Sequence, residues 1–98
     1  MKVRYADASM ALIKTDRAHK TGLPVAVIAS ARRKIHFLRQ ANDERDIRAM
    51  KSLRLEKLAG ARAGEHSIRL NDQWRLTFRF DDSSTPREIE ILGIEDYH

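Results

Sequence analysis

The sequence contains a run of alternating polar and apolar residues whose polar positions include three arginines. Between positions 67 and 79 the odd positions are polar and include Arg69, Arg75 and Arg79, whereas most even positions are apolar. This alternation predicts strands with one apolar face and one basic face, from which the three arginines point outward. Successive positions on the basic face would lie about 7 Å apart along a strand, close to the phosphate repeat of a nucleic acid. Ordinary cross-strand pairing with Asp or Glu explains the same arginines equally well.

Histidines are the other residues able to move protons near neutral pH. None of the four lies three or four residues from another, so the spacing predicts no metal site. His98 follows Asp96 and Tyr97, where a final strand would bring its imidazole to the sheet edge as a general acid or base. A frayed terminus is the alternative interpretation.

Several function classes are excluded by composition and motif. The chain has no cysteine, which removes disulfide scaffolds, thiol nucleophiles and cysteine-based metal modules. It also lacks the glycine and histidine patterns of serine hydrolases, P-loop and Rossmann proteins and zinc proteases. We therefore expect no cofactor and no metal. The apolar runs are too short for a membrane span and the first residues do not resemble a signal peptide, so a cytoplasmic protein is expected.

Charge indicates a possible polyanionic partner. The 98 residues have a net charge of +5, and arginines outnumber lysines. The excess lies in residues 1–80, because residues 81–98 contain six acidic side chains and one basic one. Planar guanidinium groups suit phosphate contacts, so a nucleic acid is a plausible ligand, although such charge also serves as a solubilising surface.

The helices that position these residues are predicted in the first half. A helix is expected from Pro24 to Gln40, where apolar residues recur at helical spacing after a break at Gly22. A shorter one is expected over 8–14, with Asp7 or Ser9 as its N-cap.

The second half is predicted to be mainly strands. A hairpin, or two strands joined by a tight turn, is expected over 67–80, and a short first strand is expected over 2–5. A last strand is expected over 88–94, with a bulge or a close backbone approach at Gly93. These elements predict one α+β domain over residues 1–98, with N-terminal helices packed on a largely antiparallel sheet of three or four strands.

Three segments resemble one known family. They are Leu55–Gly60, the string His66–Phe78 (HSIRLNDQWRLTF) and the terminal Asp96-Tyr97-His98. Together they are similar to the HigB, or killer, branch of the RelE/ParE toxin superfamily. The resemblance implies a RelE-like fold and a type II toxin that cleaves mRNA in the ribosomal A site without a metal. It also implies a HigA-like helix-turn-helix antitoxin as partner, through which operator DNA is contacted only indirectly.

The resemblance also implies roles for individual residues. Arg75 matches the arginine expected to stabilise the charge of the transition state, and Tyr97 and His98 match the terminal pair, with His98 as general acid or base. The substrate-binding set implied by the shared polar face is Arg69, Asn71, Gln73 and Arg79. Such a nuclease must orient the phosphate while the 2′-hydroxyl attacks it in line.

One departure from the family pattern affects catalysis. Family members often carry a lysine immediately before the glycine and a histidine a few residues earlier, where this chain has Ala59 and Glu56. Glu56 is a candidate proton acceptor in place of the histidine. Lys57 is a candidate substrate contact, although it would project to the opposite side of an extended segment. We therefore expect either cleavage weaker than is usual in the family or a rearranged catalytic set.

Two other functions are also consistent with the sequence. A ParE-like member of the superfamily would inhibit DNA gyrase by binding it and would not need His98. A non-catalytic nucleic-acid-binding module would depend on the basic face alone, and loss of Arg75 would then weaken its affinity in a salt-dependent manner.

Overall fold

The protein, described by a computed structural model over residues 1–96, has one five-stranded mixed sheet. Its strands are β1 (Lys2–Tyr5), β2 (Glu56–Lys57), β3 (His66–Arg69), β4 (Trp74–Asp81) and β5 (Glu88–Asp96). They lie in the order β1-β5-β4-β3-β2. Only β1 pairs in parallel, with β5, and the other neighbours are antiparallel.

The helices are α1 (Ala8–Ala11), α2 (Val25–Gln40) and α3 (Glu44–Ala49). Four 3₁₀ turns accompany them, at Leu12–Lys14, Ala18–Thr21, Lys51–Leu53 and Gly60–Arg62. The α+β class is confirmed, whereas the expected three or four strands become five. The short first strand predicted over 2–5 is β1, and the strand that was not predicted is the edge strand β2, which has only two residues. In the part of the chain that the structure describes, no helix has the length and apolar character to cross a bilayer.

Helix α2 forms one wall of the core, and its predicted bounds are confirmed to within one residue. Gly22 ends the preceding turn with a positive φ of 75°, a conformation that glycine adopts without strain. The buried Ser30 hydroxyl donates to the carbonyl of Leu70 at 2.7 Å, which ties the helix to the end of β3. Arg32 donates to the carbonyls of Ile13 and Thr15, each at 2.7 Å, and so holds the N-terminal segment against the helix.

Aspartates begin both short helices. Asp7 accepts from the backbone N–H of Met10 at 3.0 Å at the start of α1, as predicted. Asp43 accepts from the N–H groups of Arg45 at 2.9 Å and Asp46 at 3.3 Å at the start of α3. Each side chain satisfies a backbone donor that the helix leaves unpaired.

The core lies between α2 and the apolar face of the sheet. Buried apolar residues from α2, β3, β4 and β5 form a single cluster. His66 packs against this cluster: the side chain is buried and its ring centre lies 6.0 Å from that of Phe78 and 5.0 Å from that of Phe80. Neither ring nitrogen has a hydrogen-bond partner among the described residues, and burial lowers the pKa of this imidazole.

A β-bulge divides β5 into two halves. Ile91 pairs with Phe78 and Gly93 pairs with Thr77, so Leu92 is the extra residue and the bulge lies one residue before the predicted position, Gly93. The extra residue reverses the alternation of faces along the strand. Ile94 therefore lies opposite Leu76 on the apolar face, and Glu95 lies opposite Arg75 on the polar face.

Candidate active site

The polar face of the sheet carries the predicted row of arginines. Arg69 of β3 lies directly opposite Arg75 of β4, and Arg79 follows four residues later on the same face. The predicted face is confirmed. The prediction that all three arginines point outward into solvent is wrong: Arg79 is exposed and Arg69 is half-buried, but Arg75 is buried, with 5% of its surface accessible.

The Arg75 guanidinium is held mainly by neutral oxygens. Its Nε donates to the Ser67 hydroxyl at 2.9 Å, and one terminal nitrogen donates to the carbonyls of Arg54 at 2.6 Å and Ser67 at 3.3 Å. The other terminal nitrogen lies 3.9 Å from a carboxylate oxygen of Glu56. Neutral acceptors fix the orientation of a guanidinium without cancelling its charge, so Arg75 presents a fixed positive charge at the floor of the site.

The segment that covers Arg75 comes from outside the hairpin. After the turn Lys51–Leu53 the backbone of Arg54 is left-handed, with φ 49° and ψ 57°. This unusual conformation for a non-glycine residue aims the Arg54 carbonyl at Arg75. Covering by this segment is the physical reason that Arg75 is buried although it lies on the polar face.

A cavity of about 250 Å³ opens above this floor. Its walls carry three guanidinium and two carboxylate groups, and its lining residues are Arg54, Glu56, Arg69, Asn71, Asp72 and Arg75. A larger groove of about 340 Å³ lies beside the end of α2, but Asp46 is the only charged residue among the six that line it. The smaller cavity therefore has the composition of a site for a charged ligand.

Glu56 and Lys57 lie side by side in β2 and face opposite ways. Glu56 pairs with Ser67 and lines the cavity, whereas Lys57 pairs with His66 on the other side of the strand. The expected divergence of these neighbours is confirmed. The structure brings Glu56 to Arg75 and does not bring Lys57 to the cavity.

The predicted substrate-binding residues of the hairpin have structural partners. The Asn71 side-chain oxygen accepts from the N–H groups of Gln73 at 2.9 Å and Trp74 at 2.8 Å, which caps the β3–β4 turn. Asn71 still lines the cavity and Arg69 forms an ion pair with Asp72 at its rim. Gln73 donates to Asp96 at 3.0 Å, so it lies beside the cavity and ties the turn to the end of β5.

Arg79 lies outside the cavity, at the other end of the polar face. Its Nε donates to Glu90 at 2.7 Å, the cross-strand pairing that was the alternative explanation for the arginine row. Arg4 pairs there with Asp81 at 2.7 Å. Hydrogen bonds from Ser83, with a further contribution from Arg4, lower the pKa of Asp81 to about 2. This end of the face is therefore neutralised internally.

Tyr97 and His98, the predicted terminal pair, lie outside the described residues. The described part of β5 ends at Asp96, which pairs with Trp74, and Glu95 pairs with Arg75. Asp96, the last described residue, therefore lies one position beyond Glu95, the strand partner of Arg75 at the floor of the cavity.

Three residues of the site were not predicted from the sequence. Ser67 had a detectable signal, since it belongs to the polar set of the alternating run. Arg54 had none, because its role depends on a left-handed backbone. Arg62 ends the turn Gly60–Arg62, and its contact with Glu95 joins positions that are far apart in the chain. Among residues 1–96 no cluster of three or more His, Asp or Glu side chains is arranged to hold a metal ion.

The family model of HigB-like toxins, RelE-like toxins of the type II toxin–antitoxin system HigB, matches residues 5–91. The chain belongs to this family. The resemblance carried by the hairpin string is thereby confirmed, and the protein is a type II toxin. No curated protein matches the sequence.

Solved structures confirm the fold of the toxin. A YoeB/ParE toxin from Agrobacterium tumefaciens is 15% identical and superposes with a TM-score of 0.63, covering 100% of both chains. The toxin–antitoxin complex RelBE2 from Mycobacterium tuberculosis contains a chain that is 23% identical, with a TM-score of 0.55 and coverage of 98% of this chain and 96% of the other. A YoeB dimer from Staphylococcus aureus is 18% identical, with a TM-score of 0.56 and coverage of 100% and 97%.

Proposed function

We propose that this toxin is a metal-free endoribonuclease that cleaves mRNA on the ribosome and so inhibits translation in the cytoplasm. One observation carries the proposal: two arginines, Arg69 and Arg75, face each other directly across β3 and β4 at the wall of one cavity. Like charges in this position destabilise a sheet. An anionic substrate such as a phosphodiester would compensate that cost.

The chemistry assigned to Arg75 is stabilisation of the phosphorane-like transition state. In-line attack by the 2′-hydroxyl adds negative charge to the non-bridging oxygens of the phosphate and expels the 5′-oxygen, leaving a 2′,3′-cyclic phosphate. A guanidinium already fixed by Ser67 and Arg54 needs no reorientation as this charge develops, which is the condition for electrostatic stabilisation.

Proton transfer is assigned to residues on either side of that guanidinium. Glu56 lies 3.9 Å from Arg75 and accepts the proton of the 2′-hydroxyl. His98 donates a proton to the leaving 5′-oxygen and Tyr97 assists in binding, roles that rest on the sequence resemblance. Because Glu56 repels phosphate more than a histidine would, cleavage is expected to be slower than in family members with the histidine.

RNA binding is assigned to the rim of the cavity. Arg69 and Asn71 line it directly, and Gln73 lies at the adjoining turn. Lys57 and Arg79 lie outside it, so their predicted role is reduced to long-range attraction of the polyanion, an effect that salt screens.

Neutralisation is assigned to a HigA-like helix-turn-helix antitoxin. The matched family consists of toxins of type II toxin–antitoxin systems, and one of the similar structures is titled as a toxin–antitoxin complex. A positively charged toxin suits an acidic or amphipathic partner. Operator DNA would then be bound by the antitoxin, and no membrane is involved.

Primer extension on a translated message tests the proposed activity. The wild-type protein should produce cuts that require ribosomes, and Arg75→Ala and His98→Ala should remove them. Arg79→Ala is the matched control, because this arginine is on the same face but is paired with Glu90 outside the cavity. Intact message in the presence of stalled replication would contradict the proposal and support a gyrase-binding toxin.

A further inference from the structure

Arg75 has an acidic neighbour that is held by another residue. Glu95 lies directly opposite Arg75 in the pairing of β4 and β5, and both line a small cavity of about 50 Å³ on the polar face. Oppositely charged residues in this position ordinarily pair across the strands. The Glu95 carboxylate instead accepts two hydrogen bonds from Arg62, one of them at 2.7 Å.

Arg62 is well suited to hold this carboxylate. Its guanidinium also donates to Glu65 in the same loop, through Nε at 3.0 Å and a terminal nitrogen at 2.8 Å. The hydrogen bonds from Arg62 lower the pKa of Glu95, and the two carboxylates, Glu95 first, raise the pKa of Arg62. The Thr77 hydroxyl also contacts Glu95. About two-fifths of each of the Arg62 and Glu95 side chains is exposed, and ion pairs so open to water contribute little to folding.

We propose that Arg62 is a positioning residue that holds the Glu95 carboxylate away from Arg75 and so keeps the Arg75 charge directed at the phosphate of the RNA. The proposal rests on the function proposed above for Arg75. Arg62 acts through Glu95 and does not itself touch the substrate. Without it, Glu95 is free to turn toward its cross-strand neighbour and compete with the phosphate.

The test is a double-mutant cycle on Arg62 and Glu95. Binding of inorganic phosphate is followed through the NMR signal of the Arg75 Nε–H, and cleavage is followed on a translated message. Arg62→Gln should weaken phosphate binding and slow cleavage by about tenfold, because it releases one unpaired carboxylate next to Arg75. Glu95→Gln should behave like the wild type. The double variant should recover to within about twofold of the wild type.

A purely structural ion pair gives a different pattern. It predicts that Glu95→Gln is as defective as Arg62→Gln and that the double variant is not rescued, and either result overturns the proposal. Arg62→Lys loses the bidentate geometry but keeps the positive charge that attracts Glu95. Because the charge is kept, this variant should retain near-normal phosphate binding, and it provides a test even if Arg62→Gln does not fold. Weak phosphate binding by Arg62→Lys would also contradict the positioning role of Arg62.

Failure of the proposed function gives a separate signature. If the wild-type protein cuts no message, the ribonuclease proposal fails, while the phosphate titration still reports on Arg62. If the wild-type protein shows no phosphate-dependent change at the Arg75 Nε–H, the positioning role fails whatever the outcome of the cleavage assay.

Discussion

The Ser67 hydroxyl offers the sharpest test of how the site is built. It is 1% exposed and accepts the Nε hydrogen bond of Arg75 at 2.9 Å, so Ser67→Ala leaves a buried donor of a charged group without that acceptor. A hydrogen bond to a charged group contributes about 2 kcal/mol, which corresponds to roughly thirtyfold if the whole contribution is needed in the transition state. We therefore expect cleavage to fall by about tenfold to thirtyfold, with KM changing less than kcat.

Ser30 supplies the matched control for that experiment. It is also a buried serine with one hydrogen bond, 2.7 Å to the carbonyl of Leu70, but it lies on the helical side of the core. Both Ser67→Ala and Ser30→Ala should lower the free energy of unfolding in urea by about 1–2 kcal/mol. Only Ser67→Ala should slow single-turnover cleavage. Equal cleavage rates for the two variants would refute the view that Ser67 orients Arg75 for catalysis.

Three further predictions concern stability and titration. Burial lowers the pKa of His66 in the folded protein below its unfolded-state value of about 6.5. The free energy of unfolding should therefore be highest above pH 6.5 and should decline as the pH falls toward the folded-state pKa. Urea unfolding at pH 7.5 and 5.0 should show this decline, and His66→Phe should reduce it. Arg32→Ala removes two 2.7 Å bonds to backbone carbonyls and should cost about 1–3 kcal/mol in urea unfolding, whereas the exposed neighbour Arg33→Ala should change stability by less than about 0.5 kcal/mol. Ser83→Ala should raise the pKa of Asp81 from about 2 toward its ordinary value in an NMR titration, and an unchanged value would show that Ser83 is not its main cause.

Elements with a local cause could be predicted from the sequence. Helix α2 follows from apolar spacing with a break before it, and the β3–β4 hairpin follows from alternation across a short turn. The parallel pairing of β1 with β5 joins the two ends of the chain, and nothing in the local pattern of either strand specifies it. The two-residue strand β2 is too short to show a period.

The residues of the site also divide into those that a local pattern predicts and those that depend on distant segments. Alternation placed Arg69, Arg75 and Arg79 on one face, but it carries no information on which part of that face another segment covers. Burial of Arg75 depends on the left-handed backbone at Arg54, and separation of Arg79 from the cavity depends on Glu90 in a different strand. The resemblance selected Arg75 from the three, which periodicity alone did not.

The bulge at Leu92 separates the last strand into two halves with different structural roles. Residues 88–91 keep the alternation that the core needs, and residues 94–96 follow a second alternation that sets which side chains face the cavity. A substitution in residues 94–96 therefore need not disturb the packing of Ile89 and Ile91. Deleting Leu92 would join the two alternations into one and leave Glu95 opposite Arg75. Pairing Leu92 in regular register without the bulge would instead drive the Glu95 carboxylate toward the hydrophobic interior.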